Sequence, residues 1–280
     1  MKFGAYECFS IETAEFLMDG GATFGIVPKT LWEKECPADD FNRILLKSRS
    51  LLIKGERKAI LVDTGFGSKP SMKFKKNYQL KQMFDHMDSA LSEFGLTCGD
   101  ITDVIMSHLH FDHAGGCTEI RNGKLVPAFP NASYHVQKDQ WETAINPSAR
   151  DLASFRKEDF IPLLEAGVLR LIDGPVELFE GIEIIVTHGH TAGQQHPLVR
   201  GENNALFFCG DLIPTAAHLP VPWHMGFDGR PLVLVKEKEK LLPRAWKERW
   251  ILFFEHDPRI AAASIRRDEK YMRIDRIVSI

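Results

Sequence analysis

The stretch Ser107-His108-Leu109-His110-Phe111-Asp112-His113-Ala114-Gly115-Gly116 decides how this chain is read. Four side chains able to bind a metal, His108, His110, Asp112 and His113, fall within six residues. His108 and His110 are two apart at the end of the apolar run Val104-Ile105-Met106, so on an extended backbone they point the same way. Asp112 and His113 come from the following turn and can aim at a second, nearby point. Imidazoles with a carboxylate suit zinc or another borderline divalent ion, and a cluster this dense suits two ions. The Gly115-Gly116 pair is expected to let the backbone turn tightly.

This His-x-His-x-Asp-His pattern after a strand resembles the signature of the metallo-β-lactamase-fold hydrolases, and the rest of that signature can be followed down the chain. Asp63 in Leu61-Val62-Asp63-Thr64-Gly65 matches an aspartate that orients a ligand imidazole. His190 in His188-Gly189-His190-Thr191 matches the third histidine of the first metal. Asp211 in Cys209-Gly210-Asp211 matches the carboxylate that bridges the metals, and His256 in Glu255-His256-Asp257 matches the last histidine of the second. The resemblance implies that His108, His110 and His190 hold one ion, that Asp112, His113 and His256 hold the other, and that Asp211 is shared. It also implies an α/β fold, the four-layer αββα sandwich, over roughly residues 40 to 260.

Two cations about 3.5–4 Å apart can share a hydroxide and polarise a carbonyl, so a nucleophile exists at neutral pH without a catalytic triad. Zinc is the first expectation, with iron or manganese fitting the same mixed shell. Asp112 is the expected proton acceptor. The run from Gly210 to Leu219, with the His-x-His-x-Asp-His loop, is similar to the quorum-quenching N-acyl-homoserine lactonase-like branch. The expected reaction is attack of a metal-bound hydroxide on a lactone or carboxylic ester. Better-known lactonases place a tyrosine near the bridging aspartate. The four tyrosines here, Tyr6, Tyr78, Tyr134 and Tyr271, all lie far from Asp211 in sequence, so His218 is the expected group assisting the carbonyl. Thioester and phosphoester hydrolysis, and a mono-iron persulfide dioxygenase-like redox reaction, remain as alternatives on the same core.

Composition sets outer bounds. A chain of 280 residues, 44% hydrophobic and 26% charged, is normal for a globular enzyme. A net charge of −3 argues against a nucleic-acid surface, and the expected partner is a small-molecule substrate, an apolar lactone or ester. The runs Lys73–Lys76 and Lys236–Lys240 are expected to be solvated faces. Five cysteines, an odd number without a Cys-x-x-Cys pair, indicate a reducing compartment. Residues Met1 to Gly20 mix acidic residues into their apolar pattern, and no run approaches the roughly 18 apolar residues of a membrane helix, so the cytoplasm is expected.

Short β runs alternate with helical patterns, and one domain over residues 1–280 is expected. Ile44–Leu46, Leu51–Ile53 and Ala59–Val62 read as strands, the last two joined by the turn at Gly55. Ile101–Ser107 and Ala205–Cys209 read likewise, and Val176–Thr187 reads as a hairpin turning at Glu180-Gly181. Leu80, Met83, Phe84, Met87, Leu91 and Phe94 recur at helical spacing and stop at Gly95. Two irregular segments, 66–78 and 213–231, each follow an aspartate of the site and are expected to line an apolar substrate pocket. His188 is expected at the rim, His86 in solvent, and His135, His196, Cys117 and Cys209 in structural roles; His224 is a weaker candidate for substrate contact.

Overall fold

Ala59-Ile60-Leu61-Val62 is buried along its whole length, with Leu61 in one core and Ile60 and Val62 in another. A strand apolar on both faces needs cover on both sides. In the computed structural model, which describes residues 1–269 and 271–280, that cover is a second sheet on one face and helices on the other.

The first half of the chain supplies β1 (Lys2–Phe3), β2 (Tyr6–Asp19), β3 (Arg43–Lys54), β4 (Ala59–Val62), β5 (Lys81–Gln82) and β6 (Asp103–Ile105). A separate hairpin follows, β7 (Thr118–Arg121) with β8 (Lys124–Pro127), and then β9 (Ser133–Gln137) and β10 (Leu169–Ile172). The first sheet runs β1-β2-β3-β4-β6-β9-β10, with β5 added to β2. The second sheet runs in chain order: β11 (Val176–Phe179), β12 (Ile182–Thr187), β13 (Gln194–Arg200), β14 (Ala205–Phe208), β15 (Trp250–Phe253), β16 (Ala262–Arg267) and β17 (Met272–Val278). The helices are α1 (Gly20–Phe24), α2 (Lys29–Trp32), α3 (Met72–Tyr78), α4 (Met87–Ser92), α5 (Phe111–Ala114), α6 (Lys138–Ile145), α7 (Lys157–Glu165) and α8 (Pro231–Lys247).

Three apolar layers hold these elements together. Leu51, Ile53, Val62 and Ile105 of the first sheet meet Ile184, Val199, Phe208 and Phe253 of the second. On the outer face of the first sheet, Leu52, Val104 and Tyr134 pack against Leu91, Trp141 and Phe160 of α4, α6 and α7. On the outer face of the second, Phe207, Trp250 and Leu252 pack against Leu234, Leu242 and Ala245 of α8. The order of layers is α, β, β, α, as the resemblance implied.

Within each sheet one parallel pair matters most. β4 lies parallel to β6, and β14 parallel to β15, so the chain leaves β4, β6, β14 and β15 at carboxyl ends that deliver Asp63, His108, Asp211 and His256. The end of β12 leads to His190.

Several expectations need correction. The periodic stretch from Leu80 to Phe94 is helical only over Met87–Ser92, because Lys81–Gln82 pairs with β2 instead. Sheet pairing outweighs helical spacing there. Segment 66–78 is not irregular throughout: Ser71 caps α3 by accepting from the Phe74 N–H at 3.2 Å. Ile44–Leu46 and Leu51–Ile53 belong to one continuous strand, β3. Lys238 is fully buried rather than solvated, with its ammonium donating to the carbonyls of His218, Pro220 and Trp223. The Gly115-Gly116 pair serves close approach more than turning. Gly115 has ordinary helical φ and ψ, but a Cβ there would lie 2.4 Å from the Phe66 carbonyl oxygen, and one on Gly116 would lie 2.3 Å from that of Thr64. The five cysteines are all free, and among the described residues no helix is long and apolar enough to cross a membrane.

Candidate metal centre

Seven side chains converge where the two sheets open. His108 Nε2 lies 3.0 Å from His110 Nδ1, and His190 Nε2 lies 3.2 Å from that same Nδ1. Asp211 Oδ2 is 3.2 Å from His190 Nε2 and 3.9 Å from His108 Nε2. The other oxygen of Asp211 faces a different pair, 3.2 Å from His256 Nε2 and 3.6 Å from His113 Nε2. Asp112 closes that second group, its oxygens 3.8 Å from the Nε2 atoms of His113 and His256. Within each of the two groups the ligand-capable atoms lie within 4.8 Å of one another.

The outward-facing nitrogens show which lone pairs are available. His113 Nδ1–H donates to Asp63 Oδ2 at 2.9 Å, His190 Nδ1–H to Asp228 Oδ1 at 2.8 Å, and His256 Nδ1–H to the Lys47 carbonyl at 2.8 Å. Ser107 donates its hydroxyl to Asp63 and takes up His108 Nδ1 at 3.0 Å. Each bond engages Nδ1 and turns Nε2 inward, the nitrogen whose lone pair a cation would take in place of a proton. Asp211 Oδ1, although buried, receives no hydrogen bond among the described residues. Converging ring nitrogens and an orphaned carboxylate oxygen are the donor set a pair of divalent cations requires, so these residues fit such a group.

Electrostatics follow from the same crowding. Burial, then the neighbouring imidazoles, hold His108 and His110 well below the ordinary histidine value. Burial also pushes His256 down, but Asp211 and Glu255 outweigh it and raise the ring to about 9. For His113, burial is likewise overcome by Glu255, Asp112 and Asp211. Burial raises the Asp211 carboxyl, yet the imidazoles of His113, His190 and His256 draw it well below the usual range.

Local backbone geometry explains why Asp63 sits at its position. Its φ of +54° lies in the left-handed region, which Asp tolerates better than most residues. From there its carboxylate accepts from the Ser107 N–H at 2.6 Å as well as from Ser107 Oγ and His113. One side chain thus braces the metal-binding loop at both ends.

His218 stands apart from this cluster. Its ring is buried and stacked on Phe24, with centroids 4.5 Å apart. Nδ1 accepts from the Thr215 hydroxyl at 2.8 Å and Nε2–H donates to the Thr23 carbonyl at 2.9 Å. With both nitrogens engaged, His218 has no free atom for a substrate carbonyl, and its expected catalytic role is withdrawn. His188 also lies outside the cluster: its ring accepts from the Gly193 N–H at 3.2 Å and is 41% exposed. His135 pairs with Asp103 and His196 with Thr187 in the interior, while His86 is exposed. His224 Nδ1–H donates to the Met225 carbonyl.

Four residues escaped the sequence reading. Asp228 holds His190 from within the 213–231 segment, and Arg150 braces that segment by donating to the carbonyls of Gly226 and Asp228. Glu255 is buried 3.0 Å from His113 Nδ1, competing with Asp63; burial first of all raises its carboxyl to about 8. Its position next to His256 was the one available signal. Glu237 of α8 accepts from the N–H groups of His188 and Gly189, fixing the loop that carries His190.

A two-sheet sandwich with a His/Asp cluster at its strand ends defines a class of metal-dependent hydrolases, and the chain belongs to the metallo-beta-lactamase superfamily, whose family model matches residues 44–269. Within it, the chain is 30% identical over 218 residues to the N-acyl homoserine lactonase AiiA of Bacillus thuringiensis subsp. kurstaki, covering 74% of this chain and 79% of that protein. A structure described as a probable metal-dependent hydrolase from Staphylococcus aureus matches with a TM-score of 0.90 and 28% identity, over 99% of this chain and 100% of the other. AidC, a dizinc quorum-quenching lactonase solved with N-hexanoyl-L-homoserine product, shares the fold at a TM-score of 0.80 and 23% identity, over 100% of this chain and 97% of its own. The chain is a metallo-hydrolase of this superfamily with lactonases among its relatives.

Proposed function

We propose that the enzyme is a dinuclear hydrolase that opens lactones or cleaves carboxylic esters of small molecules. In this reading His108, His110 and His190 would hold one divalent cation, Asp112, His113 and His256 would hold the other, and Asp211 would be shared between them. The observation that carries it is the split of the Asp211 carboxylate, whose Oδ2 and Oδ1 each lie 3.2 Å from a histidine of a different group. When bound, two such cations supply a polarised substrate carbonyl and a water acidic enough to act as nucleophile at neutral pH. Zinc suits the donor set best, and iron or manganese fits it too.

The chain's own side chains do the remaining work. Asp112 takes the proton lost by the attacking water and returns it to the leaving alkoxide as the acyl C–O bond breaks. Asp63, Asp228 and the Lys47 carbonyl keep the imidazoles at fixed angles, so that little reorganisation accompanies the reaction. Phe155 against His110 and Phe16 against His256, with ring centroids 4.8 and 5.7 Å apart, shield the cluster from bulk water. The lactonase relative at 30% identity supports the lactone and ester class. The complete second group, Asp112, His113 and His256, speaks against a single-iron redox site.

Metal analysis of the purified protein, paired with a panel of lactone, ester, thioester and phosphodiester substrates, tests this reading. Two divalent ions per chain and preferred turnover of lactones or esters are expected. One iron per chain with oxygen consumption would establish the redox alternative. Turnover confined to thioesters or phosphodiesters would overturn the substrate class.

A further inference from the structure

Phe111 lies between His110 and Asp112 in sequence, and around it a wall of aromatic rings has formed. Phe74 meets Phe111 edge-on at 5.3 Å, and Tyr78 packs 4.5 Å from Phe74 and 5.8 Å from Phe111. One cation is seated on this wall. The guanidinium carbon of Arg156 lies 4.5 Å from the Phe74 ring centre and 5.8 Å from that of Phe111. The preceding residue, Phe155, forms a β-bridge with His110, so Arg156 is tied to the edge of the metal centre by its own backbone.

Arg156 lacks the partners that occupy other arginines. Arg49 and Arg150 are committed to backbone carbonyls, and Arg200 is paired with Glu183 and Glu248. Among the described residues, no carboxylate lies within ion-pair distance of Arg156 and its guanidinium makes no hydrogen bond. The nearby buried acid Asp159 is held by Lys69 at 3.1 Å. Tyr78 is similarly uncommitted, its hydroxyl making no hydrogen bond among the described residues. Burial and the charge of Asp112 push its phenol up while Arg156 pulls it back, which sets all three groups in one neighbourhood. An arginine offers five donors in a planar fork that matches a carboxylate, and its seat on the rings holds that fork in place.

We infer that Arg156, with Tyr78 beside it, forms an anion subsite at the edge of the metal centre, so that the ester or lactone taken by this enzyme carries a carboxylate. The apolar part of that substrate lies along Phe74 and Phe111, and its charged end meets the guanidinium. The inference rests on the hydrolase reading for its reaction, but the subsite itself is a matter of binding.

Matched esters test it. The fully metallated enzyme and the variants Arg156→Gln and Arg156→Lys are assayed with 4-nitrophenyl hexanoate and with the 4-nitrophenyl monoester of adipic acid, which has the same chain length and a terminal carboxylate. The native enzyme should favour the charged ester in kcat/KM by about tenfold or more at low ionic strength, chiefly through KM, as one charge-assisted contact warrants. Arg156→Gln should bring that ratio to about one, and Arg156→Lys should restore part of it. No preference in the native enzyme, or a ratio retained in Arg156→Gln, overturns the inference. Calorimetry with suberic acid monoamide against octanamide separates the subsite from the reaction. Tighter binding of the carboxylate that vanishes in Arg156→Gln supports it even if neither ester turns over, in which case only the hydrolase reading fails. Equal binding by native enzyme and Arg156→Gln places the carboxylate elsewhere and refutes the subsite.

Discussion

Asp228 Oδ1 accepts a 2.8 Å hydrogen bond from His190 Nδ1, joining the proline-rich 213–231 segment directly to an imidazole of the metal centre. The same carboxylate accepts from the Met225 N–H at 2.8 Å, so the order of the loop and the angle of the ring are set by one buried side chain. Replacing Asp228 with Asn should weaken metal retention by about 10–100-fold, the usual cost of losing a carboxylate behind a ligand histidine. Competition with a chromogenic chelator measures this without reference to turnover. Unchanged retention would remove the coupling.

Asp112 and His188 separate chemistry from scenery. Asp112→Ala should abolish turnover and lower metal occupancy, with circular dichroism and the cooperative melt preserved. His188→Ala should keep its metal content, because its ring lies outside the cluster and accepts from the Gly193 N–H instead. Loss of metal in the His188 variant would show that the wrong histidine of His188-Gly189-His190 has been assigned.

Lys238 tests the loop from below. Its ammonium serves three carbonyls, those of His218, Pro220 and Trp223, from a fully buried position on α8. Burial also pulls the amine down to about 7, so part of the gain from these bonds is offset. Lys238→Met should cost about 2–3 kcal/mol in a urea melt, through three carbonyls left without donors. Lys236→Ala, on the exposed side of the helix, should change stability by less than about 0.5 kcal/mol.

The buried His218 gives a pH dependence with a definite sign. Burial depresses its imidazole from 6.5 to about 3. On acidification the unfolded chain therefore takes the proton first, at about 6.5, whereas the native ring resists until about 3. The stability this ring contributes is complete above about 6.5 and is lost progressively as pH falls towards 3. Urea melts at pH 7 and pH 4.5 should show the native enzyme losing stability faster than His218→Gln, by up to about 1.4 kcal/mol per pH unit. Identical slopes would mean that the ring is not held neutral. Retained kcat/KM in the same variant, once metallated, would agree with its withdrawal from the catalytic set.

Much of the centre was legible in the sequence because coordination chemistry is local in part. His108, His110, Asp112 and His113 lie within six residues, and a density of metal-capable side chains that high is visible without a fold. The αββα order and the more distant His190, Asp211 and His256 came from the resemblance to a known signature, each in a short recognisable surround. The four residues of β4 could be read as a two-faced buried strand from their apolar run alone.

Only tertiary structure decided the rest, because those roles depend on which distant segment arrives. Asp228 reaches His190 across 38 residues and Lys47 reaches His256 across 209, with no periodicity to announce either pair. Lys238 reads as one more charge on a polar helix until the 218–223 loop lays its carbonyls against it. His218 reads as a catalytic histidine until Thr23 and Thr215 claim both nitrogens. The glycines at 115 and 116 are required by the carbonyls of Phe66 and Thr64, which a local reading of the turn does not contain. Sequence sets which chemistry a side chain can perform; packing sets which of its atoms remain free to perform it.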